Sequence, residues 1–195
     1  ADIYIKGIPY AYGYETPGGF QQYNILDWRV LNGDHGNYLI PLQPETGYAE
    51  AALNEPWACV VASYLVEYRY EWKKGGSIWI VGDGRDIVLG HCADWSPASI
   101  ALSVNNKAFE ATVRAWAESR GIEVLASDPS RQYDDIVVLA NDPDLIERAF
   151  ARLAKGGTFN VVTNHDIERT CRLDIGRIHY DNLAVSGTAT HDISA

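Results

Sequence analysis

The chain has 195 residues, and its 26 acidic and 16 basic side chains give it a formal charge of −10 at pH 7. A hydrophobic fraction of 47% with 22% charged residues is typical of a folded chain and excludes a disordered one. The negative charge disfavours nucleic acid and anionic membrane surfaces as partners, because both are bound through basic residues. No apolar run comes near the ~20 residues that a membrane span requires.

The cysteines and histidines form no metal or disulfide pattern. Cys59, Cys92 and Cys171 lie far apart, so neither a disulfide framework nor a zinc knuckle is predicted, and a reducing, cytoplasmic location is expected. The five histidines lack the spacing of metal ligands. Methionine is absent, so we expect either a piece of a longer protein or a sequence written without its methionines.

The first 45 residues are rich in Tyr, Gly and Pro. Turn sequences at residues 17–19 and 32–36 separate short apolar stretches, which is the pattern of a small β-barrel or of its edge. The strands predicted in this region are residues 3–6, 20–26 and 38–42.

The pattern becomes helical at residue 48. Apolar residues at helical spacing predict a helix over residues 48–70, which Pro56 divides and Gly75-Gly76 terminates. Glu55 lies at a predicted helix N-terminus. Its carboxylate is explained either by a favourable interaction with the helix dipole or by a role in lining a ligand cleft.

Strands and helices alternate from residue 77 onward. The continuous β-branched and aromatic run at residues 77–81 predicts a strand that is buried on both faces. This alternation favours parallel βαβ units, so the predicted fold class is α/β with a Rossmann-like doubly wound parallel sheet. The other predicted strands are residues 99–104, 122–125, 135–140, 158–163 and 183–186, and the predicted helices are residues 107–120 and a segment that begins at Asp142-Pro143.

A glycine-containing turn follows the first buried strand, where ligands of a doubly wound sheet bind. Gly82 and Gly84 permit a tight turn and a close approach of the backbone to a pyrophosphate. Arg85 is the basic side chain of this turn. The sequence therefore predicts a candidate phosphate-binding loop here.

Other features of the same loop favour a purely structural turn in a degenerate Rossmann domain. Ile87 stands where a dinucleotide-binding loop has its third glycine, and Asp83 and Asp86 add negative charge where phosphate would lie. Residues 86–98 are also poor helix material. Both interpretations of the loop are kept.

The end of the next strand offers two further candidates. A carboxylate usually contacts the ribose of NAD at this place, whereas this chain has Asn105-Asn106-Lys107. Asn105 can bond to a hydroxyl group, and Lys107 can pair with a 2′-phosphate. The sequence therefore allows NAD or NADP as cofactor.

Six stretches carry motifs that occur together in one enzyme family. They include Ala-Ala-Leu-Asn-Glu-Pro at residues 51–56, Gly-Gly-Ser-Ile-Trp-Ile-Val-Gly at residues 75–82 and Leu-Ala-Lys-Gly-Gly at residues 153–157, with further matches at residues 17–23, 38–44 and 178–187. In this order they resemble the medium-chain, zinc-type alcohol dehydrogenases. The polyol- and sugar-phosphate reductases of that family are the nearest.

The resemblance implies a two-part chain. Residues 1–52 would be part of a β-rich, GroES-like catalytic barrel, and residues 53–195 would be a Rossmann-type nucleotide-binding domain. The family's zinc ligands lie upstream of this segment, so zinc is expected only if a longer parent chain supplies them. Glu55 matches a position near the catalytic metal and is the candidate catalytic residue. The candidate cofactor-binding residues are Gly82, Gly84, Arg85, Asn105 and Lys107.

Three functions follow. The first is an NAD(P)-dependent oxidoreductase, or a fragment of one, that acts on an alcohol, polyol or sugar phosphate. The second is a non-catalytic Rossmann module for oligomerisation or scaffolding, and in either case a homodimer is expected through the last strand, residues 183–186. The third is a methyl-transfer or other nucleotide-binding domain on the same type of sheet, which the strand order would distinguish.

Overall fold

A computed structural model of the chain describes residues 2–65, 69, 71–90 and 95–193. The chain divides into two compact units, Ala1–Val66 and Glu67–Ala195. Residues 53–65, which the resemblance assigns to the nucleotide-binding domain, therefore lie in the first unit. Cys92 and the part of the predicted helix at residues 66–68 and 70 lie outside the described residues.

The first unit begins with an antiparallel hairpin of two strands, β1 (Asp2–Ile5) and β2 (Ile8–Ala11). Lys6 and Gly7 form its turn with positive φ angles of 51° and 74°. The carboxylate of Asp34 accepts hydrogen bonds from both of their backbone N–H groups, each at 2.7 Å. A side chain distant in sequence thus fixes this turn.

Three helices follow in the first unit: α1 (Trp28–Leu31), α2 (Tyr48–Ala52) and α3 (Asn54–Leu65). The predicted helical region is present, but the break between its two pieces lies at Leu53 and not at Pro56. Pro56 lies in the first turn of α3, where a backbone N–H has no partner within the helix. Proline is therefore tolerated at this position.

The strands predicted at residues 20–26 and 38–42 are wrong, because both segments are irregular. Their apolar side chains find no layer to pack against: Phe20 is fully exposed and Ile40 is 82% exposed. Over described residues 2–65 the β1–β2 hairpin is the one sheet. A partial GroES-like barrel is therefore not observed there.

The second unit is a parallel sheet of six strands in the order β5-β4-β3-β6-β7-β8. This confirms the predicted α/β class and the doubly wound parallel sheet. The order corresponds to 3-2-1-4-5-6 when the strands of this sheet are counted along the chain, which is the order of dinucleotide-binding sheets. The strands are β3 (Ser77–Gly82), β4 (Ser99–Val104), β5 (Glu123–Ala126), β6 (Tyr133–Leu139), β7 (Leu153–Val162) and β8 (Ala184–Thr188), and the helices are α4 (Lys107–Glu118), α5 (Pro143–Phe150) and α6 (Ile175–Tyr180).

Strand β3 lies in the centre of the sheet, and all six of its residues are buried, as predicted. Ile78 and Ile80 pack in the apolar layer that contains α4. Trp79 and Val81 point to the opposite face and pack in the layer that contains α5. Alternation along one buried strand therefore joins both helical layers to the sheet.

The connection from β3 to β4 contains no helix in its described parts, residues 83–90 and 95–98. The side chains of Leu89 and Ile193 pack on the sheet in the same layer as α4. The backbone of Val88 donates to His191 at 2.7 Å and accepts from Ile193 at 3.2 Å. The last described segment of the chain is thus paired with the connection that follows the glycine turn.

Three of the later connections contain a helix: α4 joins β4 to β5, α5 joins β6 to β7, and α6 joins β7 to β8. Asp142 caps α5 by accepting a hydrogen bond from the backbone N–H of Asp144 at 2.9 Å, as the Asp-Pro start predicts. The short helix α6 was not predicted, because Gly176 interrupts an already brief apolar pattern. None of the helices in the described part of the chain is long and apolar enough to cross a membrane.

Candidate ligand site at the carboxyl ends of the strands

The sheet has its switch point between β3 and β6, because the chain order of the strands runs in opposite directions from there. A cavity of about 190 Å³ lies beyond the carboxyl ends of β3, β6 and β7. Ligands of doubly wound sheets bind at this place. The side chains and backbone that line it belong to Asp83, Arg85, Asp86, Ile87, Leu139, Ala140, Asn141, Val162, Thr163, Asn164 and His165.

The two glycines of the turn are required by close packing. Gly82 has a φ of 134°, and a Cβ atom there would lie 2.5 Å from the carbonyl oxygen of Leu139. Gly84 has a φ of 68°, and its Cβ would lie 3.2 Å from the ring of Phe109 in α4. Glycine therefore lets β3 approach β6 and lets the turn approach α4. Neither contact requires a ligand.

The acidic and basic side chains of the turn partly neutralise each other. The Arg85 Nη2 atom lies 3.3 Å from Asp83 Oδ2, and the Arg85 side chain is 77% exposed. Such an exposed pair is weak and leaves Arg85 able to turn toward an anionic group. Asp86, with a positive φ of 56°, also lines the cavity and disfavours anions there.

Asn106 joins the glycine turn to the next connection. Its Nδ2 atom donates to the carbonyl of Gly84 at 3.0 Å, and its Oδ1 accepts from the N–H groups of Ala108 and Phe109 at 3.0 and 3.2 Å. The side chain therefore caps α4, whose N-terminal donors at these positions are already used.

Asn105 and Lys107 lie on either side of this cap. The Asn105 backbone donates to the Gly82 carbonyl at 3.2 Å. The Lys107 Nζ atom lies 2.9 Å from Glu110 Oε2, and its side chain is 85% exposed. The hydrogen bond from Lys107, followed by that from Arg114, lowers the pKa of Glu110. Lys107 thus has a partner and also reaches solvent.

The structure brings five of the six predicted site residues to one edge of the sheet: Gly82, Gly84, Arg85, Asn105 and Lys107. Glu55 lies in α3 of the first unit. There it accepts a hydrogen bond from the thiol of Cys59 at 3.3 Å, and this contact is the largest cause of the raised pKa of Cys59. Both side chains are exposed.

Sequence reasoning missed the part of the cavity formed by β6 and β7. Asn141, Thr163 and His165 follow the ends of these strands and face the glycine turn across the cavity. The predicted strands at residues 135–140 and 158–163 end within two residues of these side chains. The rule that ligands lie beyond strand ends could therefore have identified them.

The described residues contain no group of three or more His, Cys, Asp or Glu side chains that could hold a metal ion. The site at the strand ends therefore offers mainly backbone, amide, hydroxyl and basic groups, together with two aspartates. Such groups can bind hydroxyl groups and, through Arg85, an anion.

Comparisons with known proteins place the chain near dehydrogenases at low identity. No protein-family model matches it. YggP, an uncharacterized protein of Escherichia coli K12, is 25% identical over 94% of the chain, and mannitol-1-phosphate 5-dehydrogenase of Aliivibrio fischeri is 24% identical over 94%. The chain spans about half of each of these relatives, 51% of their length.

Two solved structures share 15% identity with the chain. The (2R,3R)-butanediol dehydrogenase of Bacillus subtilis matches with a TM-score of 0.38, over 78% of this chain and 45% of that one. The glucose dehydrogenase of Haloferax mediterranei matches with a TM-score of 0.40, over 67% and 41%. These likenesses are too distant to carry an argument about the site.

Proposed function

We propose that this chain carries the dinucleotide-binding part of an NAD(P)-dependent oxidoreductase that acts on an alcohol group of a polyol or sugar phosphate. The observation that carries the proposal is the strand order, with a glycine turn and a cavity together at its switch point. The similarity to a mannitol-1-phosphate 5-dehydrogenase supports the substrate class.

The residues of the chain would hold the cofactor by its phosphates and ribose. Arg85 would leave Asp83 to pair with the pyrophosphate, and Asn105 would bond to a ribose hydroxyl. When the cofactor is NADP, Lys107 would leave its ion pair with Glu110 and pair with the 2′-phosphate instead. When bound, the nicotinamide supplies the hydride acceptor, and the protein orients it.

The acidic turn lowers the expected affinity. Asp83 and Asp86 repel a pyrophosphate, and the described residues after the turn form no helix whose N-terminus would attract it. These features are the motivation for the alternative of a non-catalytic Rossmann module, which the dehydrogenase relatives do not favour. We therefore expect weak cofactor binding that depends strongly on Arg85.

Zinc chemistry is not available from the described residues alone, because they contain no three-ligand group. Glu55 has the exposed Cys59 thiol as its neighbour, and it belongs to no group of three or more potential metal ligands among the described residues. Its assignment as a catalytic residue thus depends on ligands outside this chain and stays a prediction.

Calorimetric titration of the chain with NAD⁺, NADH, NADP⁺ and NADPH tests the proposal. We expect heat with at least one of the four and a loss of about tenfold in affinity for Arg85→Gln, since a hydrogen bond to a charged group contributes more than a factor of ten. Lys107→Glu should weaken NADP(H) more than NAD(H).

Lys74→Glu is the matched control, because it makes the same charge change at an exposed position before the amino end of β3, whereas the candidate site follows the carboxyl end. Heat from none of the four cofactors would contradict the proposal and leave the non-catalytic module as the better explanation. If Lys107→Glu and Lys74→Glu weaken NADP(H) binding equally, Lys107 acts only through the net charge of the protein and not through a direct contact.

We also propose that two copies associate through β8. This strand is the last of the sheet, and its residues Val185, Ser186 and Gly187 are exposed. An uncovered edge strand is a site for pairing with a second chain. Light scattering should give twice the mass of the chain, and Val185→Lys should return it to the monomer mass.

A further inference from the structure

Two arginines lie beside one buried aromatic pair on the face of the sheet that contains α5. The guanidinium carbon of Arg152 lies 4.2 Å from the ring centroid of Trp79 and 5.5 Å from that of Tyr133. The guanidinium carbon of Arg131 lies 5.6 Å from the Tyr133 centroid. The two rings stack with centroids 5.5 Å apart, and they are only 5% and 1% exposed. Both cations therefore lie against the same buried aromatic pair, which we call the aromatic platform.

Arg152 has two buried donor atoms without an acceptor. Its Nε and Nη2 atoms are shielded from solvent and have no hydrogen-bond partner. These two atoms form the fork that takes both oxygens of a carboxylate or two oxygens of a phosphate. Arg29 uses the same fork on Asp27, with both distances at 2.8 Å. No protein acceptor in the described part of the chain lies within hydrogen-bond distance of these two Arg152 atoms.

Neither arginine forms an ion pair with a carboxylate in the described part of the chain. Arg131 has one long contact, from Nη2 to the Ser99 hydroxyl at 3.5 Å. The nearby carboxylate of Asp128 accepts instead from the N–H and hydroxyl of Ser130, at 2.8 and 2.7 Å. The bond from the Ser130 backbone is the largest cause of the lowered pKa of Asp128, and the charges of Arg152 and Arg131 contribute less.

The contrast with other arginines shows that pairing is available in this protein. The chain has an excess of acidic over basic residues, 26 against 16. Arg120, Arg148 and Arg172 likewise form no ion pair in the described part of the chain. Arg152 differs from them because two of its unpaired donor atoms are also buried, which is unfavourable. The arginines that do form ion pairs are Arg29, Arg69, Arg85, Arg114, Arg169 and Arg177.

We propose that Arg152 and Arg131 form a binding site for a small oxyanion, a carboxylate or phosphate group, with the Nε–Nη2 fork of Arg152 as its main donor. Arg152 directly precedes β7 and Tyr133 begins β6, so the site is built from the amino ends of these strands. The candidate cofactor site lies at their carboxyl ends. The oxyanion site is thus separate and does not rest on the proposed function.

The proposed binding requires the Arg152 side chain to move, because its two donor atoms are buried in this structure. The stack on Trp79 makes the fluorescence of this indole a direct reporter of that movement. Trp79 is one of six tryptophans, so Trp79→Phe identifies its share of the signal. The change to Phe keeps an aromatic ring on the platform.

The experiment titrates the full chain separately with sodium phosphate and sodium acetate, at an ionic strength held constant with sodium chloride. We expect a saturable fluorescence change with at least one anion, which is absent in Trp79→Phe. Arg152→Met should weaken the apparent affinity by about tenfold or more. A response to phosphate alone identifies a phosphate ligand, and a response to acetate extends the site to carboxylates.

Arg148→Met is the matched control, because Arg148 is exposed in α5 and the same charge is lost. The proposal is overturned if neither anion gives a saturable change, or if Arg148→Met weakens binding as much as Arg152→Met does. Circular dichroism checks the fold of each variant. Should Arg152→Met unfold, Arg152→Lys decides, since it keeps the charge without the fork: unchanged affinity in that variant contradicts the assigned donor.

Discussion

The two compact units of the chain differ in how far their apolar side chains are buried. The second unit buries them in two layers, one on each face of its sheet. Among the described side chains of the first unit, Val30 is the one apolar group that is buried, while Phe20, Ile25 and Tyr48 are more than nine-tenths exposed. Helix α3 has no buried residue.

This difference shows which of the two units is stabilised by a hydrophobic core of its own. Burial of apolar surface is the main favourable contribution to folding, and the second unit has it on both faces of a central sheet. The first unit is held by polar contacts, such as those of Asp34 with the hairpin turn. Such contacts alone do not offset the conformational entropy of 66 residues.

A phenylalanine-to-alanine substitution in each unit tests whether only the second unit has a hydrophobic core. Phe159 is fully buried in β7 and meets Phe150 edge to face at 5.4 Å, so Phe159→Ala should lower the free energy of unfolding by about 3–5 kcal/mol. Phe20→Ala should change it by less than about 0.5 kcal/mol. Urea unfolding followed by circular dichroism measures both. Similar losses in the two variants would mean that the first unit has a core of its own.

The buried ion pair at the amino ends of β3 and β6 gives the next largest effect. Asp135 is 1% exposed, and Arg69 Nη1 lies 2.6 Å from its Oδ1. Arg69→Met leaves a buried carboxylate without its cation and should cost about 3 kcal/mol at pH 7. Arg148→Met, which removes an exposed charge, should cost little.

The loss in Arg69→Met should depend on pH with a defined sign. Burial is the largest cause of the raised pKa of Asp135, and the N–H of Lys73 and the charge of Arg69 oppose it. Without Arg69 this pKa rises further, so the folded variant holds a proton that the unfolded chain releases. Its stability should therefore fall as the pH rises from 4 toward neutrality, and a loss independent of pH would contradict this assignment.

Asn106 tests a smaller contribution in the second unit. Asn106→Ala removes the cap of α4 and the bond to Gly84, and should cost about 1–2 kcal/mol. Hydrogen exchange should become faster in the turn that contains Gly84 as well as in the first turn of α4. Faster exchange in α4 alone would show that Asn106 does not hold the glycine turn.

The same contrast explains which elements could be predicted from the sequence. Residues 77–81 and the Asp142-Pro143 start were predicted correctly because burial on both faces and an N-cap leave local patterns. The segments 20–26 and 38–42 have a strand-like composition but no layer to pack on, so local pattern misled there. Composition reports what a segment could form, whereas packing decides whether it does.

The candidate ligand site was predictable in one half. The glycine turn follows a recognisable strand, so the position of Gly82, Gly84 and Arg85 at the carboxyl edge of the sheet could be predicted, whereas their binding of a cofactor stays a prediction. Asn141 and His165 complete the cavity only because β6 lies beside β3 and β7 lies beside β6, and these pairings depend on the strand order. The unpaired donor atoms of Arg152 could not be predicted from the sequence, because their lack of an acceptor depends on the three-dimensional positions of the surrounding side chains.

The smallest effect concerns the local structure of the first unit. Asp27 caps α1 and pairs with Arg29, and the hydrogen bond from the Arg29 side chain is the largest cause of a pKa lowered to about 2. The stability from this contact is present above the ordinary value of 3.8 and is lost as the pH falls through about 2. NMR titration should therefore find Asp27 ionised well below pH 3.8, and Arg29→Met should return it toward that value. An ordinary pKa in the unaltered chain would mean that the polar contacts of the first unit do not persist in solution without a core beneath them.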